Sequence, residues 1–241
     1  MLQIDILTVL PELLGGTLEY SIVGRARAQH LVEIGVHWLR DYTHDKRRTV
    51  DDYAYGPDAG MVLKPEPIFE AVEHLSEVGG AYDEIIYTAP DGELLTQTLA
   101  TELSLKKRLL ILCGHYKGVD QRVRDHLVTR EVSIGDYILS GGELAAAVIV
   151  DSVVRLVPGA LSDATSALSD SFQEGLVAPP AYTRPESFRG WEVPEILRSG
   201  NFPAIAKWQH EESLRLTRER RPAMLEAYER RTTSPEQDRE L

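Results

Sequence analysis

Short apolar runs alternate with helical patterns along most of the chain. The segments IDILTV (4–9), VHWLRDY (36–42), EIIYTA (84–89), LLILC (109–113) and EVSI (131–134) have the β-branched, apolar character of strands. Several are too continuously apolar for a sheet with one wet face, which predicts a parallel sheet covered on both sides. Between them, Pro67 to Val78 and Gln97 to Arg108 have helical composition, with Pro67 suited to a first turn. Glu143 to Val157 follows a glycine pair, is rich in Ala, Val and Leu, and stops at Pro158-Gly159; it reads as a largely buried helix. From Ala160 to Asp170 the residues are small and polar, the composition of a linker or lid. Prolines 179, 180, 185 and 194 punctuate an extended stretch, after which Pro203 to Arg221 and Pro222 to Arg231 read as helices. The tail from Thr232 has little apolar content and is expected to fray. The fold class expected is α/β with a mainly parallel sheet and a small helical carboxyl-terminal unit.

Composition narrows the function without fixing it. A chain of 241 residues with 43% hydrophobic content can build one sizeable core with an appendage. No apolar run approaches the ~20 residues of a bilayer-spanning helix. The start MLQIDILTVL reads as a first strand and not as a signal peptide, so the expected location is cytoplasmic. Cys113 is the only cysteine, which rules out an internal disulfide, and the histidines show no metal-ligand spacing. A net charge of −12 argues at first against a nucleic-acid partner. Its distribution softens that objection. Glu66 to Glu102 holds no lysine or arginine, whereas Arg215, Arg218, Arg220 and Arg221 cluster near the end, and Arg40, His44, Lys46, Arg47 and Arg48 form a second basic patch. Either patch is equally readable as a solvated surface with interleaved acids.

Two glycine-rich loops follow predicted strands, where open α/β sheets place ligands. One runs from Cys113 to Asp120 (CGHYKGVD), the other from Ser133 to Glu143 (SIGDYILSGGE). Their glycines permit positive φ and close approach of backbone to a flat heterocycle, although each loop alone reads more readily as an ordinary tight turn. Neither is a GxGxxG or P-loop motif.

The segments CGHYKGVDQRV, SIGDYILSGGELAA, RLVPGALSDATSALSDSF and YTRPESFRGWEVPEILRSGNFPAIAKW, in this order and across nearly the whole chain, resemble the TrmD family of bacterial tRNA (guanine-N1)-methyltransferases. The resemblance implies a SPOUT fold with a deep trefoil knot, working as a homodimer. It implies a methyltransferase domain over 1–160, an interdomain lid over 161–175 and a helical tRNA-binding domain over 176–241. S-adenosylmethionine is the implied methyl donor, held by Tyr87, Thr88, Ala89, Gly114, Ile134, Gly135, Asp136, Tyr137, Ile138, Leu139 and Gly141. The implied substrate is the tRNA anticodon stem-loop, methylated at N1 of the guanine at position 37. A role for magnesium is not legible in the sequence.

Guanine N1 carries a proton and is a weak nucleophile, so its attack on a methyl requires a base. The matching family motif, Asp-Ser-Phe, assigns that role to Asp170. Charge spreading onto O6 calls for a nearby cation, and the matching residue is Arg155. Asp151, four residues earlier, offers Arg155 a plain ion pair as the alternative. Ser166 is expected to help position the base, and Arg215 and Arg218 to hold phosphates. Two departures from the family pattern stand out: Lys117, where many members carry an acid, and Pro57-Asp58 before Gly60-Met61. The competing readings are a SPOUT enzyme acting on another RNA, a non-catalytic RNA-binding protein, and an acidic metabolic enzyme.

Overall fold

A computed structural model describes residues 1–57, 60–161, 171–172 and 175–233. The chain divides into two compact units, Met1–Ala164 and Thr165–Leu241.

In the first unit the elements run β1 (Leu2–Thr8), α1 (Ser21–Ala28), β2 (Val32–Trp38), β3 (Asp51–Tyr53), β4 (Met61–Leu63), α2 (Pro65–Gly79), β5 (Glu84–Leu94), α3 (Gln97–Ser104), β6 (Arg108–Cys113), α4 (Gln121–His126), β7 (Arg130–Ser133) and α5 (Glu143–Val154). Among the described residues, five strands form a parallel sheet in the order β2, β1, β6, β5, β7. The central strand β6 is buried along its whole length, as its unbroken apolar run requires.

Alternation along the strands sorts the core into two layers. Ile4, Ile6, Leu109 and Ile111 pack with Val23 of α1, Leu99 and Leu103 of α3, and Ile149 and Val153 of α5. Leu7, Leu110 and Leu112 face the other way, against Ile68, Ala71 and Val72 of α2 and Val123 of α4. Side-chain caps set helix starts: Thr96 accepts the Leu99 N–H at 3.2 Å, and Asp120 accepts the Arg122 N–H at 2.9 Å. Helix α2 stops at Gly80, whose φ of 92° an L side chain disfavours.

Several boundaries differ from the sequence expectation. VHWLRDY is a strand only to Trp38; Leu39–Tyr42 turns into a 3-10 helix that buries Leu39. The helix expected to reach Arg108 ends at Ser104, because Arg108 is claimed as the first residue of β6, where it bonds the Leu75 carbonyl at 2.9 Å and Asp5 at 3.1 Å. Helix α5 ends at Val154 and not at Val157. Helices α1 and α4 and the β3–β4 hairpin were not foreseen.

The second unit holds the hairpin β8 (Ser187–Phe188) and β9 (Trp191–Glu192), a short α6 (Glu195–Arg198), α7 (Phe202–Arg220) and α8 (Pro222–Thr233). The hairpin and α6 interrupt the stretch expected to be extended. Helix α8 includes Thr232, whose hydroxyl donates to the Tyr228 carbonyl at 3.1 Å, so the helix runs past the expected onset of fraying. The described chain contains no helix long and apolar enough to cross a membrane.

Candidate active site

The carboxyl ends of β6 and β7 carry the two glycine loops, and pairing between the loops stitches them together. His115 and Gly141 form an antiparallel bridge, and the Gly142 N–H donates to the Gly114 carbonyl at 2.7 Å. The first loop is also tied to β4: the Lys117 N–H donates to the Met61 carbonyl, and the Leu63 N–H to the Gly118 carbonyl, each at 3.0 Å. Gly118 has a φ of 108°, and Tyr116 adopts 58° despite its side chain.

Between the loops lies a cavity of about 370 Å³. Its lining includes Tyr87, Thr88, Ala89, Gly114, Ile134, Gly135, Tyr137, Ile138, Leu139 and Gly141, so the structure gathers every donor-binding residue expected from sequence except Asp136. Asp136 is an exposed residue between Gly135 and Tyr137. Beyond the residues expected from sequence, His115, Tyr116, Lys117 and Gly118 of the first loop and Ser133 and Gly142 of the second also line the cavity. The density of residues able to take positive φ was the signal for the whole first loop.

Backbone approach is close on every side. A Cβ on Gly114 or on Gly118 would lie 2.8 Å from the Tyr87 hydroxyl, and one on Gly142 would strike the Thr88 side chain and backbone of Cys113 and Gly114. Thr88 donates its hydroxyl to the Leu112 carbonyl at 3.2 Å. The second loop braces itself: Tyr137 donates its hydroxyl to the Ile134 carbonyl at 3.0 Å and its N–H to the Gly135 carbonyl at 2.9 Å. Ile138 is 81% exposed, an apolar side chain held at the rim. Burial pushes the Tyr87 phenol pKa up, as it does the Cys113 thiol beneath the loop, where the nearby Glu143 carboxylate adds to the shift.

The catalytic candidates fall at the end of α5 and beyond it. Arg155 caps α5, its N–H donating to the Asp151 carbonyl at 3.3 Å, and its side chain is half-buried. Asp170 and Ser166 lie outside the described residues, as does Asp58 of the departing Pro57-Asp58 pair. The two residues after Asp170 are held in the second unit. Ser171 Oγ accepts the Ala178 N–H at 2.9 Å, and Phe172, at a φ of 77°, exchanges bonds with Leu176 and Gly175 under the Arg221 guanidinium. In α7, Arg215 is engaged by Glu212 at 2.6 Å and Glu219 at 2.9 Å, which offsets its charge within the helix. No cluster of three or more metal-binding side chains occurs among the described residues.

Comparison with known proteins agrees with this geometry. The profile of the family described as tRNA (Guanine-1)-methyltransferase TrmD matches residues 2–227. Relatives named tRNA (guanine-N(1)-)-methyltransferase include one from Porphyromonas gingivalis, 54% identical over 93% of this chain and 99% of its own. One from Bacteroides fragilis is 55% identical over 93% of this chain and all of its own, and one from Flavobacterium johnsoniae is 54% identical over 94% and all of its own. With its α/β sheet, its glycine-loop cavity and this similarity along nearly its whole length, the chain belongs to the TrmD family of tRNA (guanine-1)-methyltransferases and has that family's SPOUT fold.

Proposed function

We propose that this chain carries out its family's reaction, methylation of a tRNA guanine at N1, with S-adenosylmethionine bound between the two glycine loops, position 37 as the target and Asp170 as the base. The observation that carries the reading is the cavity itself. Its volume of about 370 Å³ suits a small ligand, its glycines leave backbone edges bare for a nucleoside, and Ile134, Ile138 and Leu139 offer an apolar wall to a purine. When bound, the donor supplies an activated methyl on sulfur.

The remaining chemistry falls to side chains of this chain. The Asp170 carboxylate takes the proton from guanine N1 as the new bond forms, since the neutral lactam is otherwise a poor nucleophile. The Arg155 guanidinium stabilises the charge that spreads onto O6, and Ser166 helps set the base in place. The segment 161–175 acts as a lid around the extruded guanine, whose unstacking is offset by contacts in the site. Arg215 and Arg218 hold phosphates of the anticodon stem-loop in the domain beyond the lid. The chain works as a homodimer in the cytoplasm, and the exposed apolar residues Leu144 and Val148 of α5 support a partner surface on that helix.

The test is methyl incorporation from labelled S-adenosylmethionine into tRNA transcripts that differ only in the guanine beside the anticodon. Incorporation that depends on that guanine is expected. Incorporation that ignores it, or that appears only in another RNA, would refute the assignment.

A further inference from the structure

Below the loop junction, Glu143 opens α5 with 1% of its surface exposed. Its Oε1 accepts the Thr8 hydroxyl at 2.7 Å, while Thr8 Oγ1 accepts the Leu10 N–H at 3.0 Å. The single hydroxyl proton of Thr8 is therefore committed to Glu143. The other oxygen, Oε2, is buried without a hydrogen-bond partner, and so is Nδ1 of His115. Both atoms border one point. A Cβ on Gly141 would collide with Glu143 Oε2 and lie 2.7 Å from His115 Nδ1.

Buried polar atoms in folded proteins are nearly always bonded, and these two flank the same point beside Gly141 without bonding each other. A carboxylate oxygen can only accept, so the pair is attractive only if Nδ1 carries a proton. We propose that Glu143 is a positioning residue that holds His115 in its Nδ1–H tautomer, leaving Nε2 as an acceptor for an N–H or ammonium group of the ligand in the cavity. His115 lines that cavity, and its ring is braced edge-on against Tyr116 with centroids 4.6 Å apart. The bridge to Gly141 fixes its backbone, and only glycine at 141 leaves room for the ring and the carboxylate on either side of it. Thr8 is the second support, because it aims the carboxylate from the end of β1. The part concerning the ligand rests on the donor-binding reading above; the tautomer does not.

The tautomer is directly observable in the full chain by long-range proton–nitrogen correlation of 15N-labelled histidine at neutral pH, with His115→Gln used to assign the signal. The wild-type protein is expected to show a protonated Nδ1 and a bare Nε2. In Glu143→Gln the amide oxygen stays with the Thr8 hydroxyl, which needs an acceptor, so the amide NH2 faces His115 and drives the ring to the Nε2–H form. The same substitution is expected to weaken S-adenosylmethionine binding about tenfold in calorimetry, the size of one lost hydrogen bond. A wild-type ring found as the Nε2–H tautomer or as imidazolium overturns the proposal, and that result needs no variant to fold. A tautomer unchanged in a folded Glu143→Gln protein overturns it too. Wild-type protein that shows the Nδ1–H form yet takes up no S-adenosylmethionine supports the pairing and refutes the donor assignment.

Discussion

The Tyr87 hydroxyl lies 2.8 Å from the point that a Cβ on Gly114 would occupy, and the edge of its ring lies 2.9 Å from it. Strand β5 and the loop after β6 are thus fitted to each other with no room for a methyl group. Gly114→Ala would push the Tyr87 ring away from the cavity wall, an overpacking cost of about 1–3 kcal/mol. Calorimetry should register at least a tenfold loss of S-adenosylmethionine affinity, with a folded protein by circular dichroism. Unchanged affinity would mean that this wall does not touch the donor.

Asp170→Asn keeps size and shape but removes the base. It should bind S-adenosylmethionine as the wild type does and lose at least a hundredfold in single-turnover methyl transfer, the usual scale of general-base catalysis. Full turnover by this variant would assign the base elsewhere. Arg155→Ala should also lower that rate while leaving donor affinity intact. If it changes only the melting temperature, Arg155 serves the end of α5 and not the reaction.

Arg215 and Arg218 should separate in their contributions to RNA binding. Both were read as phosphate ligands, but Arg215 is embraced by Glu212 and Glu219. Arg218→Ala should weaken tRNA binding and lower the slope of log affinity against log salt by about 0.7–0.9, one phosphate contact. Arg215→Ala should lower it less. Equal slopes would show that RNA displaces the two glutamates.

Stability should fall in acid partly through Asp5. Burial opposes ionisation of its carboxyl, yet bonds from His37 and Tyr82 at 2.7 Å and from Arg108 at 3.1 Å hold its pKa below the ordinary 3.8. A folded-state pKa below the unfolded one stabilises the protein above the unfolded value, and that contribution is lost as pH falls through the folded one. Asp5→Ala leaves the Arg108 guanidinium short of its partner and should cost about 3 kcal/mol in urea unfolding at pH 7. The gap from wild type should narrow below pH 3.8. A gap that is constant with pH would mean that packing, not charge, carries the loss.

Much of the sheet was legible because burial on both faces leaves a sequence mark. LLILC is too continuously apolar to leave either face in water, and β6 is buried throughout. What the pattern missed was short or held by partners distant in sequence. Helix α4 spans only Gln121–His126 and depends on the Asp120 cap and on Val123 entering the core. The strands β3 and β4 have three residues each and gain their place from Val50 and Leu63, which sit in one core layer, and from the Lys64 N–H, which donates to the Val50 carbonyl at 2.8 Å. Arg108 reads as a helix end by composition, and partners distant in sequence, its pairing with Gln3 of β1 and its bonds to Asp5 and the Leu75 carbonyl, make it a strand residue.

The chain by itself determined the alternation of strand and helix, the two loops able to admit a ligand, and, through the resemblance of four long segments, the family. These are local properties: periodicity, apolar continuity and the freedom of glycine at φ values closed to other residues. Only the tertiary structure decided that β6 and β7 deliver their loops to one cavity, that Tyr87 lines it, and that Glu143 and His115 both border Gly141. The physical reason is that the buried bond from Thr8 to Glu143, with His115 beside it, has no signature in spacing; each residue is ordinary until the sheet order brings β1, β6 and α5 together.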